Sequence, residues 1–98
     1  MNTSKVSIRR TPRAVEGGLI EIGEDLQRWR RLNRLTIEQA AYRADVSVST
    51  LRRLEQGHGA TMENFLRVCR AFQLLDRVKA AVDPMEHNRG RALIEQML

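Results

Sequence analysis

Cysteine is nearly missing from this chain of 98 residues: Cys69 stands alone, so no disulfide can close within it, and a reducing cytosol suits it. Its two histidines, His58 and His87, have no companions at ligand spacing, which argues against a metal site. The sequence contains no nucleophile–base pairing and no phosphate-cradling glycine loop, so neither catalysis nor a cofactor is expected. Also missing are an apolar run of about 18 residues, the length of a membrane span, and the apolar centre of a signal peptide, and a cytoplasmic protein is expected. Lysine is scarce as well. Lys5 and Lys79 are the only two among 17 basic residues, so arginine supplies nearly all the positive charge. Against 12 acidic residues this leaves a net charge of +5, which favours a polyanionic partner, and arginine forks suit phosphate oxygens and guanine edges.

The length allows one compact domain with short arms. Residues 1–18 read as a basic arm: Lys5, Arg9, Arg10 and Arg13 outweigh Glu16, and Pro12 with the Gly17-Gly18 pair interrupts regular structure. Val6 and Ile8 alternate as in a short strand over residues 5–9, but disorder is the favoured reading. From Ile20 onward the pattern is helical. Ile22, Leu26, Trp29 and Leu32 share one face of a first helix over residues 20–33, which makes Trp29 a core residue rather than a base-stacking one. Thr36 and Gln39 form a capping box that opens a short second helix, residues 37–44, whose Ala40, Ala41 and Ala44 permit close approach of a neighbour. Asp45-Val46 makes a tight turn, with Asp45 in the left-handed region. Ser47 caps a third helix that stops at Gly57. Thr61 caps a fourth, with Met62, Phe65, Leu66, Cys69 and Phe72 on one face. A fifth, residues 74–82, presents Leu75, Val78 and Val82 and ends at Asp83-Pro84. Residues 83–98 form a tail with an apolar cluster at Leu93, Ile94, Met97 and Leu98.

A capped short helix, a tight turn and a second helix, all within about twenty residues, make the arrangement that places one helix in the major groove of DNA. The third helix divides into two faces. Leu51 and Leu54 point inward, while Val48, Ser49, Arg52, Arg53 and Gln56 fall opposite. Ser49 can exchange hydrogen bonds with base edges, Val48 can pack on a thymine methyl, and either arginine can fork onto guanine.

Residues 35–57, LTIEQAAYRADVSVSTLRRLEQG, resemble the second and third helices of the Xre family of lambda-repressor-like DNA-binding domains almost without gaps. The resemblance extends over about residues 20–82. It implies an all-α, five-helix domain over residues 19–82, flanked by short arms, acting as a repressor among the DNA of the nucleoid. By position, Val48, Ser49, Arg52 and Arg53 would read bases. Thr36, Ile37, Arg43, Thr50 and His58 would hold phosphates, in part through free backbone amides at helix starts. Arg30 and Glu55 match an ion pair between the first and third helices, and a structural role is expected for it. Three positions depart from the family pattern. Ile37 replaces a phosphate-binding glutamine, Asp45 replaces the turn glycine and adds negative charge, and Arg34 replaces the glycine that ends the first helix. Because one such unit reads only a few base pairs, a homodimer on a near-palindromic operator is expected, with the fifth helix and tail as the family's dimer surface. Residues 72–84 further resemble HipB-type antitoxins, which implies autoregulation and a HipA-type kinase toxin as partner. The alternatives are a phage-type or restriction-system controller without a toxin, and a helical interaction module that no longer binds DNA.

Overall fold

The computed structural model describes residues 10–98, and the strand-or-coil reading of residues 5–9 lies outside them. Six α-helices and one 3-10 turn follow each other with no strand among the described residues: α1 (Arg13–Leu32), α2 (Ile37–Ala44), α3 (Val48–Glu55), α4 (Met62–Ala71), α5 (Leu75–Val82), the turn Pro84–Glu86 and α6 (Asn88–Met97). The all-helical expectation is met. The tail reading is refined, since residues 88–97 form a helix of their own.

Helix starts follow the side chains that satisfy their unpaired amides. At α2 the box closes both ways: Gln39 N–H donates to Thr36 Oγ1 at 3.1 Å, and Thr36 N–H donates to Gln39 Oε1 at 2.9 Å. Ser47 Oγ accepts from Thr50 N–H at 3.0 Å to open α3, and Thr61 Oγ1 accepts from Asn64 N–H at 3.1 Å to open α4. The start of α1 corrects the reading of an arm through residue 18. The helix begins at Arg13, because Pro12 holds an extended conformation and its carbonyl accepts from both Val15 and Glu16 amides at 3.0 Å. Gly17 and Gly18 weaken a helix without breaking it, at a cost of about 1 kcal/mol each.

Helix ends share one device. After α1, α2, α3 and α4 the chain turns back with an amide bonded to the carbonyl five residues earlier: Leu35 to Arg30, Val46 to Ala41, His58 to Arg53 and Leu74 to Cys69. This closure requires a left-handed residue just before the donor, a place usually taken by glycine. Only α3 has one, Gly57 at φ 84°. Arg34, Asp45 and Gln73 hold the same conformation at φ 57°, 58° and 61°.

The core is small. Leu26, Ala40, Ala41, Leu51, Val68 and Phe72 are buried together, and the three alanines of α2 let α4 lie close against it. The first helix turns a different face inward from the one its apolar spacing suggests. Gly23 and Leu26 are buried, whereas Ile22, Trp29 and Leu32 are exposed, Trp29 by 42% and Leu32 by 69%. The reason is the contact with α3: a Cβ on Gly23 would run into the carbonyl oxygens of Leu54 and Glu55. Helix α1 meets α3 through a glycine and, one and two turns on, through Leu26 and Arg30, so the seam carries few apolar residues. Met62 and Val82, expected on inward faces, are likewise exposed, while Phe65, Leu75 and Val78 are half-buried. Cys69 is buried, and its burial pushes the thiol pKa up, which keeps it protonated.

Two substitutions at glycine-related positions should move stability in opposite directions. In urea unfolding, Gly23→Ala is expected to lose about 1–3 kcal/mol by forcing α1 off α3. Gln73→Gly should gain about 1 kcal/mol by relieving a left-handed residue.

Candidate nucleic-acid interface

The tilt of α3 is set by a buried ion pair. Arg30 Nε donates to Glu55 Oε2 at 2.7 Å and its Nη2 to Glu55 Oε1 at 3.0 Å, a two-pronged contact in a site where the side chains are only 13% and 4% exposed. A third guanidinium nitrogen, Nη1, donates to Leu35 O at 3.0 Å, immediately before the start of α2. Gln27 Nε2 adds a bond to Glu55 Oε1 at 3.3 Å. One arginine thus joins α1, the head of α2 and the end of α3. The hydrogen bonding to Glu55, offset in part by desolvation, raises the Arg30 pKa above the ordinary arginine value, so the pair stays ionised. No buried side-chain nitrogen or oxygen among the described residues lacks a partner.

With Leu51, Leu54 and Glu55 facing inward, the rest of α3 is left outward. Ser49, Arg52, Arg53 and Gln56 are exposed on that face. Val48 departs from the expected free position: it is half-buried against the core at the margin of the face, leaving only part of its side chain available. Thr50 lies on the other margin, half-buried, with its Oγ1 accepting from the Ser47 hydroxyl at 2.8 Å and its own hydroxyl hydrogen still available to donate.

The expected phosphate-holding residues lie on and just before α2, on α3 and in the connection that follows it. Thr36 uses its hydroxyl in the capping box, and Ile37 turns its side chain into the core, so both offer backbone rather than side-chain contacts. Arg43 is exposed in the last turn of α2, next to Tyr42, which is 88% exposed. His58 is exposed just after Gly57, in the connection to α4. Trp29 borders a shallow pocket on α1 with Asp25, Arg28 and Leu32.

The partner of the turn aspartate escaped sequence reasoning. Asp45, the acidic replacement in the helix-turn-helix turn, is met by Arg67 of α4, whose Nη1 lies 2.9 Å from both Asp45 Oδ2 and Asp45 O. Arg67 also binds Glu63 Oε2 through Nη2 at 2.7 Å and Nε at 3.1 Å, and that hydrogen bonding leads the upward shift of its pKa. The turn carboxylate thus has a counter-charge, shared with Glu63, and the left-handed turn carbonyl has a donor. A contact across 22 residues leaves no local signature; only the odd placement of an aspartate at a glycine site hinted at a partner elsewhere.

A short helix, a left-handed turn and a second helix with a polar, doubly basic outer face make the geometry of a helix-turn-helix. A family described as a helix-turn-helix domain matches residues 21–82, and the chain belongs to that family of DNA-binding domains. No curated protein and no solved structure matches the chain. Among the described residues no helix is long and apolar enough to cross a membrane, and no group of three or more His, Cys, Asp or Glu side chains gathers as a metal site.

Removing half of the buried pair should be far worse than removing all of it. Arg30→Ala leaves the Glu55 carboxylate buried without a counter-charge and is expected to cost about 3–5 kcal/mol. Arg30→Met combined with Glu55→Met should lose clearly less, as read from urea midpoints of the three proteins.

Proposed function

We propose that the protein is a sequence-specific double-stranded DNA-binding transcriptional repressor of the Xre type, reading a near-palindromic operator as a homodimer. The observation that carries this reading is the outer face of α3, where Ser49, Arg52 and Arg53 stand exposed on a helix locked at its far end by the Arg30–Glu55 pair. In the major groove, Arg52 and Arg53 fork onto guanine edges, Ser49 exchanges a hydrogen bond with a base, and the exposed part of Val48 meets a thymine methyl. The backbone amides at Thr36 and Ile37 take one phosphate, and Arg43, Thr50 and His58 hold flanking ones. Such contacts orient the helix without specifying sequence. Neither a catalytic step nor a cofactor forms part of this reading.

Within that class we assign the chain to the autoregulating HipB-type antitoxins, with a HipA-type kinase toxin as partner. Its support is the resemblance of residues 72–84, which run from the C-cap of α4 through all of α5 to Pro84. A kinase-like gene beside this one, whose product co-purifies with the protein, is the expected observation. Without such a neighbour, the phage-type or restriction-system controller takes its place.

Gel-shift titration with the DNA upstream of the protein's own gene tests the DNA reading. The wild-type protein should retard that DNA, and log affinity should fall with log salt by a slope of about −0.9 per phosphate contact. Arg52→Ala combined with Arg53→Ala should abolish the shift and leave the unfolding midpoint unchanged, because both side chains are exposed. Absence of binding at low salt, or full binding by the double variant, overturns the repressor reading.

A further inference from the structure

The chain reverses between α1 and α2 at Arg34, which is held at φ 57° with its amide donating to Arg31 O at 2.9 Å. Glycine takes this conformation without strain, whereas a residue with a Cβ persists there only at a cost in stability. Asp45 holds the same conformation, but Arg67 binds both its carboxylate and its carbonyl. Arg34 has nothing comparable. Its side chain is exposed and forms no hydrogen bond or ion pair with any described residue. The ion pairs among those residues are Arg28–Asp25, Arg30–Glu55, Arg67 with Asp45 and Glu63, and Lys79–Asp76. One residue thus combines a strained backbone with an unpaired guanidinium, and no internal contact accounts for either. Strain kept in this way points to a contact outside the molecule.

The place of Arg34 in the fold says which contact. The next residue, Leu35, accepts from Arg30 Nη1 at 3.0 Å, and the same guanidinium holds Glu55 at the end of α3. The corner at Arg34 is thereby tied to the end of α3 that carries Arg52 and Arg53. A helix lying in the major groove, about 12 Å wide, has a phosphate strand on each side. A corner joined to that helix through one side chain falls beside such a strand. The head of α2 also needs a cation there. Its capping box uses the Thr36 hydroxyl, Ile37 turns its side chain into the core, and Glu38 in the first turn is exposed and acidic. A phosphate approaching this helix start meets a carboxylate and no basic side chain of that turn. Between Asp25 and Glu38 the sequence has four arginines and no acid, and Arg34 is the one nearest α2.

We propose that Arg34 is a DNA-backbone contact, its guanidinium binding a phosphate that flanks the base pairs met by α3. The proposal rests on the repressor reading above and adds to it a residue at which stability and affinity oppose each other. A guanidinium on a phosphate makes charge-assisted bonds that fix the register of the protein on the duplex and carry no sequence information.

Gel-shift titration at several salt concentrations, on the DNA upstream of the gene and on an unrelated duplex of equal length, tests this alongside urea unfolding of the same proteins. Arg34→Gly should raise the unfolding midpoint yet weaken binding by about 60-fold at 0.1 M salt, with the log–log slope shallower by about 1.8, two contacts per dimer at about 0.9 each. The loss should be the same on both duplexes. Arg34→Gln should lose as much binding with the unfolding midpoint unchanged, and Arg34→Lys should keep most of the affinity and the full slope. Gln73→Gly, which relieves the same strain outside the helix-turn-helix, should raise the midpoint and leave binding as it was. An Arg34→Gly protein with the wild-type slope overturns the proposal. So does a loss confined to the upstream DNA, which would make Arg34 a reader of bases. A wild-type protein that retards no DNA removes the repressor reading and this contact together, whereas a wild type that binds no better than Arg34→Gly removes this contact alone.

Discussion

In a domain with so small a core, the orientation of one eight-residue helix depends on a single guanidinium. Arg30 reaches Glu55 at the end of α3 with two nitrogens and the chain before α2 with a third, so the angle between the two helices of the motif is referred to one point on α1. Gly23 allows this by letting α1 lie directly on the carbonyls of Leu54 and Glu55. Close backbone approach and a buried ion pair belong together here. The first makes the site dry enough for the charges to matter, and the second prevents the dry site from holding an unpaired charge. Everything on the outward face of α3 inherits its position from that seam.

The other end of the motif is held differently. Asp45 takes a left-handed conformation at the end of α2, and Arg67 of α4 binds both its carbonyl and its carboxylate. This contact is largely exposed, so its contribution to stability is small. Its consequence is electrostatic: the turn aspartate beside the candidate DNA surface shares the Arg67 charge with Glu63. Arg34 and Gln73 occupy the same kind of left-handed position. The domain thus tolerates three non-glycine residues where its helix closures favour glycine, and the strain is borne by loops whose geometry the surrounding helices already dictate.

Much of the motif was legible in the sequence because its signals are local. Thr36 with Gln39, Ser47, Thr61 and Gly57 announce helix ends through bonds that span three to five residues, and they place α2, α3 and α4 within a residue or two. The start of α1 was misread because Gly17 and Gly18 resemble a break although they lie in a helix whose later turns are held by α3. Trp29 was misassigned to the core for a related reason. Counting apolar residues finds the centre of an apolar face, and α1 makes its contact through a glycine and an arginine that such a count ignores. Arg67 was invisible because it acts through a neighbour distant in sequence. Residues 88–97 read as an apolar tail because α6 lacks a side-chain cap and has no acidic residue in its first turn, so the local signals that announce α2, α3 and α4 are missing there.

In the proposed function it is the outer face of α3, oriented by Arg30 and Glu55, that meets DNA. Backbone amide NMR of the labelled protein, titrated with the DNA upstream of its gene at physiological salt, tests it most directly. The largest shift changes are expected at Ser49, Arg52, Arg53 and Gln56 and at the start of α2, with smaller ones along α1. Changes centred on the Trp29 side of α1 or on α6, with α3 unmoved, would contradict it.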